Sequence, residues 1–158
     1  QGSYSGWSEG FVIEIADGTT PSLVWGQWLG GSGSDYVQSL AVTGDEIYAG
    51  GYTNDSSGWE SISWQGSYSG SDEGFVIEIA DGTTPSLAWG QWLGGSGGDY
   101  VQSLAVTGDE IYAGGYSYNP SLWESITFYG SNQGGSEGFI VKFFDDQNPN
   151  SIFFGIHF

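Results

Sequence analysis

Nineteen acidic residues stand against one cation, Lys142, and one histidine, His157, in a 158-residue chain of formal net charge −18. That inventory restricts the chemistry. Nucleophilic catalysis of the Ser–His–Asp kind needs a histidine, and His157 lies next to last in an apolar stretch that reads as a strand. A carboxylate pair could serve glycoside hydrolysis. Yet every acid of residues 1–64 except Asp55 recurs 64 positions later, as in Glu14/Glu78, Asp17/Asp81, Asp35/Asp99, Asp45/Asp109 and Glu60/Glu124. Wholesale duplication suits turns and solvation better than one active centre. Asp35, Asp45 and Glu46, with their copies Asp99, Asp109 and Glu110, offer hard oxygen donors that could supply part of a calcium site, and turn capping is their competing role. No EF-hand spacing is present, and no other cofactor is expected. The glycine runs after Leu29 and Leu93 carry no lysine and precede no helix, so they do not make a phosphate cradle.

Aromatic side chains offer a second chemistry. Trp7, Trp59, Trp64, Tyr118 and Trp123, with Tyr4, lie in or beside variable loops where ring faces could stack on sugars. The competing role is packing those loops onto a sheet. The acidic balance repels nucleic-acid phosphates and anionic lipid and keeps an aromatic-rich surface soluble. No apolar run reaches the roughly 20 residues of a membrane span. With no cysteine there is neither a disulfide framework nor a thiolate metal site.

These residues must be positioned by strands. Phe11 to Ile15 alternates, with Phe11, Ile13 and Ile15 on one face and Val12 and Glu14 on the other. Asp17-Gly18 turns the chain into Ser22–Leu29, which carries Trp25 and Trp28; a glycine-rich turn leads to Val37–Val42. Thr43-Gly44-Asp45 then turns into Glu46–Tyr52, and a loop of about 20 residues, Thr53–Asp72, closes the unit. Small residues Ala41, Ala49, Gly50 and Gly51 suit a crowded inner position. Nothing reads as a long amphipathic helix, and the expected fold is all-β.

Repetition organises all of this. Residues 1–64 match 65–128 without a gap at 53 of 64 positions, and residues 129–158 continue with 9 of 30 identities, Gly138, Phe139, Asp145 and Pro149 among them. Differences between the close copies cluster at 53–58 against 117–122 and at 7–8 against 71–72, as in loops. The third copy changes its strand residues instead, placing Ile152, Phe153, Phe154, Ile156 and Phe158 where VWGQWLG stood, as terminal caps do. Four strands per unit in two hairpins describe a propeller blade, so the chain is expected to hold about two and a half blades. The boundaries are an outer hairpin in 1–34, a full blade in 35–98 and a divergent capping blade in 99–158.

The runs WGQWLGGSGSDYVQSLAVTGDEIYAGGYT (Trp25–Thr53) and WGQWLGGSGGDYVQSLAVTGDEIYAGGYS (Trp89–Ser117) resemble the SBBP-type β-propeller repeat of secreted and cell-surface proteins of bacteria and archaea. The resemblance implies a propeller with the VQSLAV strand innermost and does not imply an enzyme. Closed propellers need about 4–8 blades. The expected partners are therefore further copies of the chain or preceding blades of a longer one. The function expected is a non-enzymatic extracellular or cell-surface module for adhesion or assembly into a layer or filament. A carbohydrate-binding propeller and a glycoside hydrolase are the alternatives.

Overall fold

A computed structural model describes residues 2–59, 62–119, 123, 126–129, 134–144 and 153–157, with 126–128 and 153–157 described by backbone alone. Asp145, Pro149, Ile152, Phe158, Glu60, Glu124 and the side chain of His157 lie outside that description. The described chain is all-β, in three sheets and without a helix.

The first sheet is the hairpin β1 (Gly10–Ala16) and β2 (Ser22–Leu29). The second runs β3 (Asp35–Thr43), β4 (Glu46–Thr53), β6 (Glu73–Ala80), β7 (Ser86–Leu93) and then β5 (Ser63–Gln65) at the far edge. The third repeats that order as β8 (Asp99–Thr107), β9 (Glu110–Ser117), β11 (Glu137–Phe144), β12 (Phe153–His157) and β10 (Ile126–Tyr129). The complete sheets thus have five strands where the residue pattern gave four. The addition comes from the 53–72 segment, read as a loop, whose residues 63–65 pair in parallel with β7. A three-residue strand has too little alternation to show in a sequence.

Glycine shapes each unit. Gly44 and Gly108 turn the β3–β4 and β8–β9 hairpins at φ +57° and +58°, which a side chain resists. Bulges between Val37 and Ser39 and between Val101 and Ser103 drive the Tyr36 and Tyr100 carbonyls against Gly51 and Gly115, where any Cβ would collide.

The third copy departs from gapless register. Phe75 pairs with Trp92, so a 64-residue shift predicts Phe139 against Ile156, but Phe139 pairs with His157. One extra residue therefore lies between β11 and β12, and Gly155 takes the ladder position of Gly90, opposite Val141 as Gly90 is opposite Ile77. A slip of one residue exchanges the faces of a strand.

The sheets pack face against face. Val12, Trp25 and Leu29 of the first sheet share a core with Ile47, Ala49, Phe75, Ile77 and Ile79 of the second. Val76, Trp89 and Leu93, their counterparts, share the next core with Ile111, Ala113, Phe139, Val141 and Phe143 of the third. The second interface is the first moved along by one unit. Fully burying one such large side chain contributes about 1.5–3 kcal/mol. Gly50 admits Val101 and Leu104 of β8, since a Cβ there would come 2.9 Å from Val101 and 3.0 Å from Leu104. The Leu104 N–H donates to Ser39 Oγ at 2.9 Å, joining β8 to β3.

Candidate functional site: an uncovered aromatic face

The two cores leave one matching surface bare. Phe11, Ile13 and Ile15 correspond to Phe75, Ile77 and Ile79 in an identical strand sequence, yet Phe11 is 56% exposed and Phe75 fully buried. Leu23 and Trp28 extend the exposed patch. The strand has two apolar faces; the Val12 face is covered by the second sheet, and no sheet lies on the Phe11 face among the described residues.

Tyr4 and Phe11 meet Trp28 edge-on at 5.8 and 5.9 Å between ring centroids. In the second sheet the counterpart, Trp92, is buried under three rings. Trp64 stacks on it at 3.7 Å, and Trp59 and Tyr68 meet it edge-on at 6.0 and 5.4 Å. Trp59 also packs on Phe75, as its copy Trp123 packs on Phe139. Trp59, Trp64 and Trp123, read as sugar-stacking candidates, are thus core or core-edge residues. Tyr118 is exposed and leans on Tyr100 and Tyr116. Trp7 is 87% exposed, far from the buried tryptophans in environment and replaced by Ser71 in the next copy.

The calcium candidates separate. Asp35 pairs across the ladder with Thr53 at one end of the β3–β4 hairpin, whereas Asp45 and Glu46 lie at its turn. Asp99 stands apart from Asp109 and Glu110 in the same way. Among the described residues no three acidic or histidine side chains converge. Asp35 Oδ2 accepts the Gly31 N–H at 2.9 Å and Asp99 Oδ2 the Gly95 N–H at 2.8 Å, so each clamps a glycine-rich turn. Beside them are acids that residue types alone did not single out. Glu9 Oε1 accepts the N–H groups of Ser5 and Gly6 at 2.8 and 2.7 Å, and Glu73 Oε2 those of Ser69 and Gly70 at 3.0 and 2.8 Å. A Cβ at Gly30 or Gly94 would intrude on both carboxylates of its pair. The available signal was the exact recurrence of Glu9 as Glu73 and Glu137.

Burial pushes the Asp35 carboxyl up, against bonds from Thr53 and Gly31, with Glu9 and Asp55 adding to the rise. Asp99 is raised by burial too, opposed by Ser117, Gly95 and Trp123. Asp55 is lowered by the Ser57 N–H and hydroxyl. Glu110 Oε1 takes the Lys142 ammonium, which lowers the acid and raises the lysine. Its Oε2 accepts the Tyr112 hydroxyl, as Glu46 accepts that of Tyr48. Each of these acids therefore has a role in holding a turn or strand.

One polar contact marks the seam between sheets. The Trp25 indole N–H donates to Asp81 Oδ1 at 3.1 Å, an oxygen that also caps Gly82. Asp17 caps Gly18 identically, but on the uncovered side of the first sheet. No helix of the described residues is long and apolar enough to cross a membrane. No protein-family model matches the chain, and no curated protein matches it.

Proposed function

We propose that this chain is a non-enzymatic β-propeller repeat module of the extracellular space or cell surface, whose role is structural assembly through stacked blades. The observation that carries it is the recurrence of one interface: a Val–Trp–Leu face meets a Phe–Ile–Ile face, then Val76, Trp89 and Leu93 meet Phe139, Val141 and Phe143. A head-to-tail contact of this sort propagates, forming a ring or a filament according to its rotation. The shared strand order and the contact of the first strands β3 and β8 support blades set around an axis with VQSLAV innermost. The uncovered Phe11 face supports a partner, since Phe11, Ile13, Ile15, Leu23 and Trp28 are exposed together and contiguous apolar surface marks interaction sites. The charge of −18 suits a screened exterior and keeps exposed faces from indiscriminate collapse.

Sedimentation analysis tests the assembly role. Copies of the chain are expected to associate, and Ile13→Lys to dissolve the association while leaving the β-sheet circular dichroism unchanged. A folded species that stays at 16.8 kDa across the accessible concentration range would contradict assembly between copies.

A further inference from the structure

The third sheet presents a second bare face. On β11, Ile140, Lys142 and Phe144 occupy the places that Val76, Glu78 and Ala80 hold on β6. Val76 is fully buried in the core shared with the third sheet, whereas Ile140 is 40% exposed and Phe144 is exposed beside it. No sheet lies on them among the described residues. We propose that this tail face docks on the Ile13 and Ile15 end of the head face of a second copy, with Lys142 of one copy paired to Asp17 of the next. The pairing rests on the stacking reading above and names both faces and the polar contact that selects them.

The seam inside the chain shows what such a contact contains. Where the first sheet meets the second, the Trp25 indole N–H donates to Asp81, just beyond Ile79. Trp25 stands directly across the ladder from Glu14, so the two share a face. Asp17 is the copy of Asp81 and caps Gly18 beside the exposed Ile15–Leu23 pair. A neighbour on this face must therefore bring a donor to Asp17. On the tail, Lys142 pairs with Phe154, as Glu14 pairs with Trp25 and Glu78 with Trp89. Phenylalanine in place of tryptophan deletes the indole donor, and lysine in place of glutamate supplies another one strand over. Directly opposed residues lie about 4.5–5.5 Å apart at Cβ, a gap that the four-carbon lysine stem spans. The two exchanges compensate each other, and they put the chain's single Lys or Arg where the contact needs a donor.

Lys142 is also held ready. Glu110 Oε1 takes one ammonium proton, and the Tyr112 and Phe144 ring centres lie 5.6 and 4.9 Å from the nitrogen. An ammonium has three donors, and the Lys142 side chain keeps 27% of its surface open. Ile140 takes the part of Val12 and Val76, the residues that meet the opposing faces within the chain. Between copies that each carry −18, one matched pair of opposite charges fixes orientation more than it adds affinity.

Sedimentation of the full chain in about 0.15 M salt, where self-repulsion is screened, is the test. Lys142→Glu returns the position to the residue found at 14 and 78, so the strand keeps its fold, and association should weaken at least about tenfold. Asp17→Asn keeps an oxygen for the Gly18 turn and should weaken association too. Lys142→Glu and Asp17→Lys combined in one chain should restore it, as should an equimolar mixture of the two single variants. Glu110→Gln removes only the pair within the chain and should leave association within about twofold. Association of Lys142→Glu as tight as wild type would overturn the proposal. So would a charge exchange that keeps its sheet circular dichroism without restoring association, or a loss with Glu110→Gln equal to that with Lys142→Glu. Assemblies that ignore these charge changes but dissolve with Ile13→Lys would leave stacking between copies standing and remove this contact. A chain that stays at 16.8 kDa would overturn both.

Discussion

The hairpins β1–β2 and β6–β7 are nearly the same molecule twice: GFVIEIA is shared and SLVWGQWL differs from SLAWGQWL at one residue. Their surroundings are opposite. Phe75, Ile77 and Ile79 have no exposed surface, whereas Ile13 is 46% and Ile15 56% exposed. Trp92 is roofed by Trp59 and Trp64, whereas among the described rings Tyr4 and Phe11 alone stand beside Trp28. The pair therefore separates what a sequence dictates from what its neighbours supply. Backbone path, bulge and turn are the same in both, since the register breaks at Glu14/Ile15 and again at Glu78/Ile79. The core is not the same, because it belongs to the contact between units and not to the unit.

Matched substitutions sharpen this comparison, and the largest difference is expected at the tryptophans. Trp92→Ala should cost about 3–5 kcal/mol as a buried aromatic truncation. Trp28→Ala, at a half-exposed position, should cost about 1 kcal/mol or less. Equal losses in urea unfolding would break the comparison. Next come the glycines: Gly90→Val must displace the Trp64 ring and should destabilise by about 1–3 kcal/mol. Gly26→Val adds a strand-favouring side chain whose Cβ meets no described atom nearer than Ile13, at 3.4 Å, and should be neutral or slightly stabilising. Thermal melts of the two variants decide it.

A smaller effect is expected at the seam. Asp81→Ala and Asp17→Ala both remove a turn cap, but only the first removes an acceptor from the Trp25 indole. Asp81→Ala should therefore be the more damaging by about 1 kcal/mol, measurable as a difference in unfolding midpoint. The smallest effect is on pH dependence. Because burial raises Asp99 above its ordinary value of 3.8, the folded state holds that proton more tightly than the unfolded chain. Its contribution to stability is complete below the ordinary value and declines as pH rises through the folded value. Asp99→Asn should flatten the decline that sets in above the ordinary carboxyl value. A wild-type slope retained in the variant would remove Asp99 from the account.

Much of the fold was legible because alternation and turn chemistry are local. The strand Ser22–Leu29 coincides with its sequence limits, and Gly44-Asp45 turns the hairpin it was expected to turn. Phe11, Ile13 and Ile15 do share a face opposite Val12, but alternation could not say that both faces of the second unit's strand are buried. The edge strand β5 escaped notice because three residues have no period, and the slip in β12 escaped because one inserted residue leaves composition unchanged. At the candidate site, the tryptophans of the variable loop were visible as residues that must stack on something. That Trp59 and Trp64 meet Trp92 depends on a parallel pairing between residues 26 apart, a contact no local pattern carries. Asp35, Asp45 and Glu46 looked like one donor set because they are close in sequence, while an antiparallel hairpin sends them to opposite ends.

Hydrogen–deuterium exchange on a chain lengthened by one 64-residue unit ahead of Gln1 addresses the neighbour effect most directly. Amides of residues 10–29 should exchange faster than those of 74–93 in the original chain and come to match them in the lengthened one. If residues 10–29 keep their original exchange rates with the added unit folded ahead of them, the two hairpins differ for some reason other than a missing neighbour.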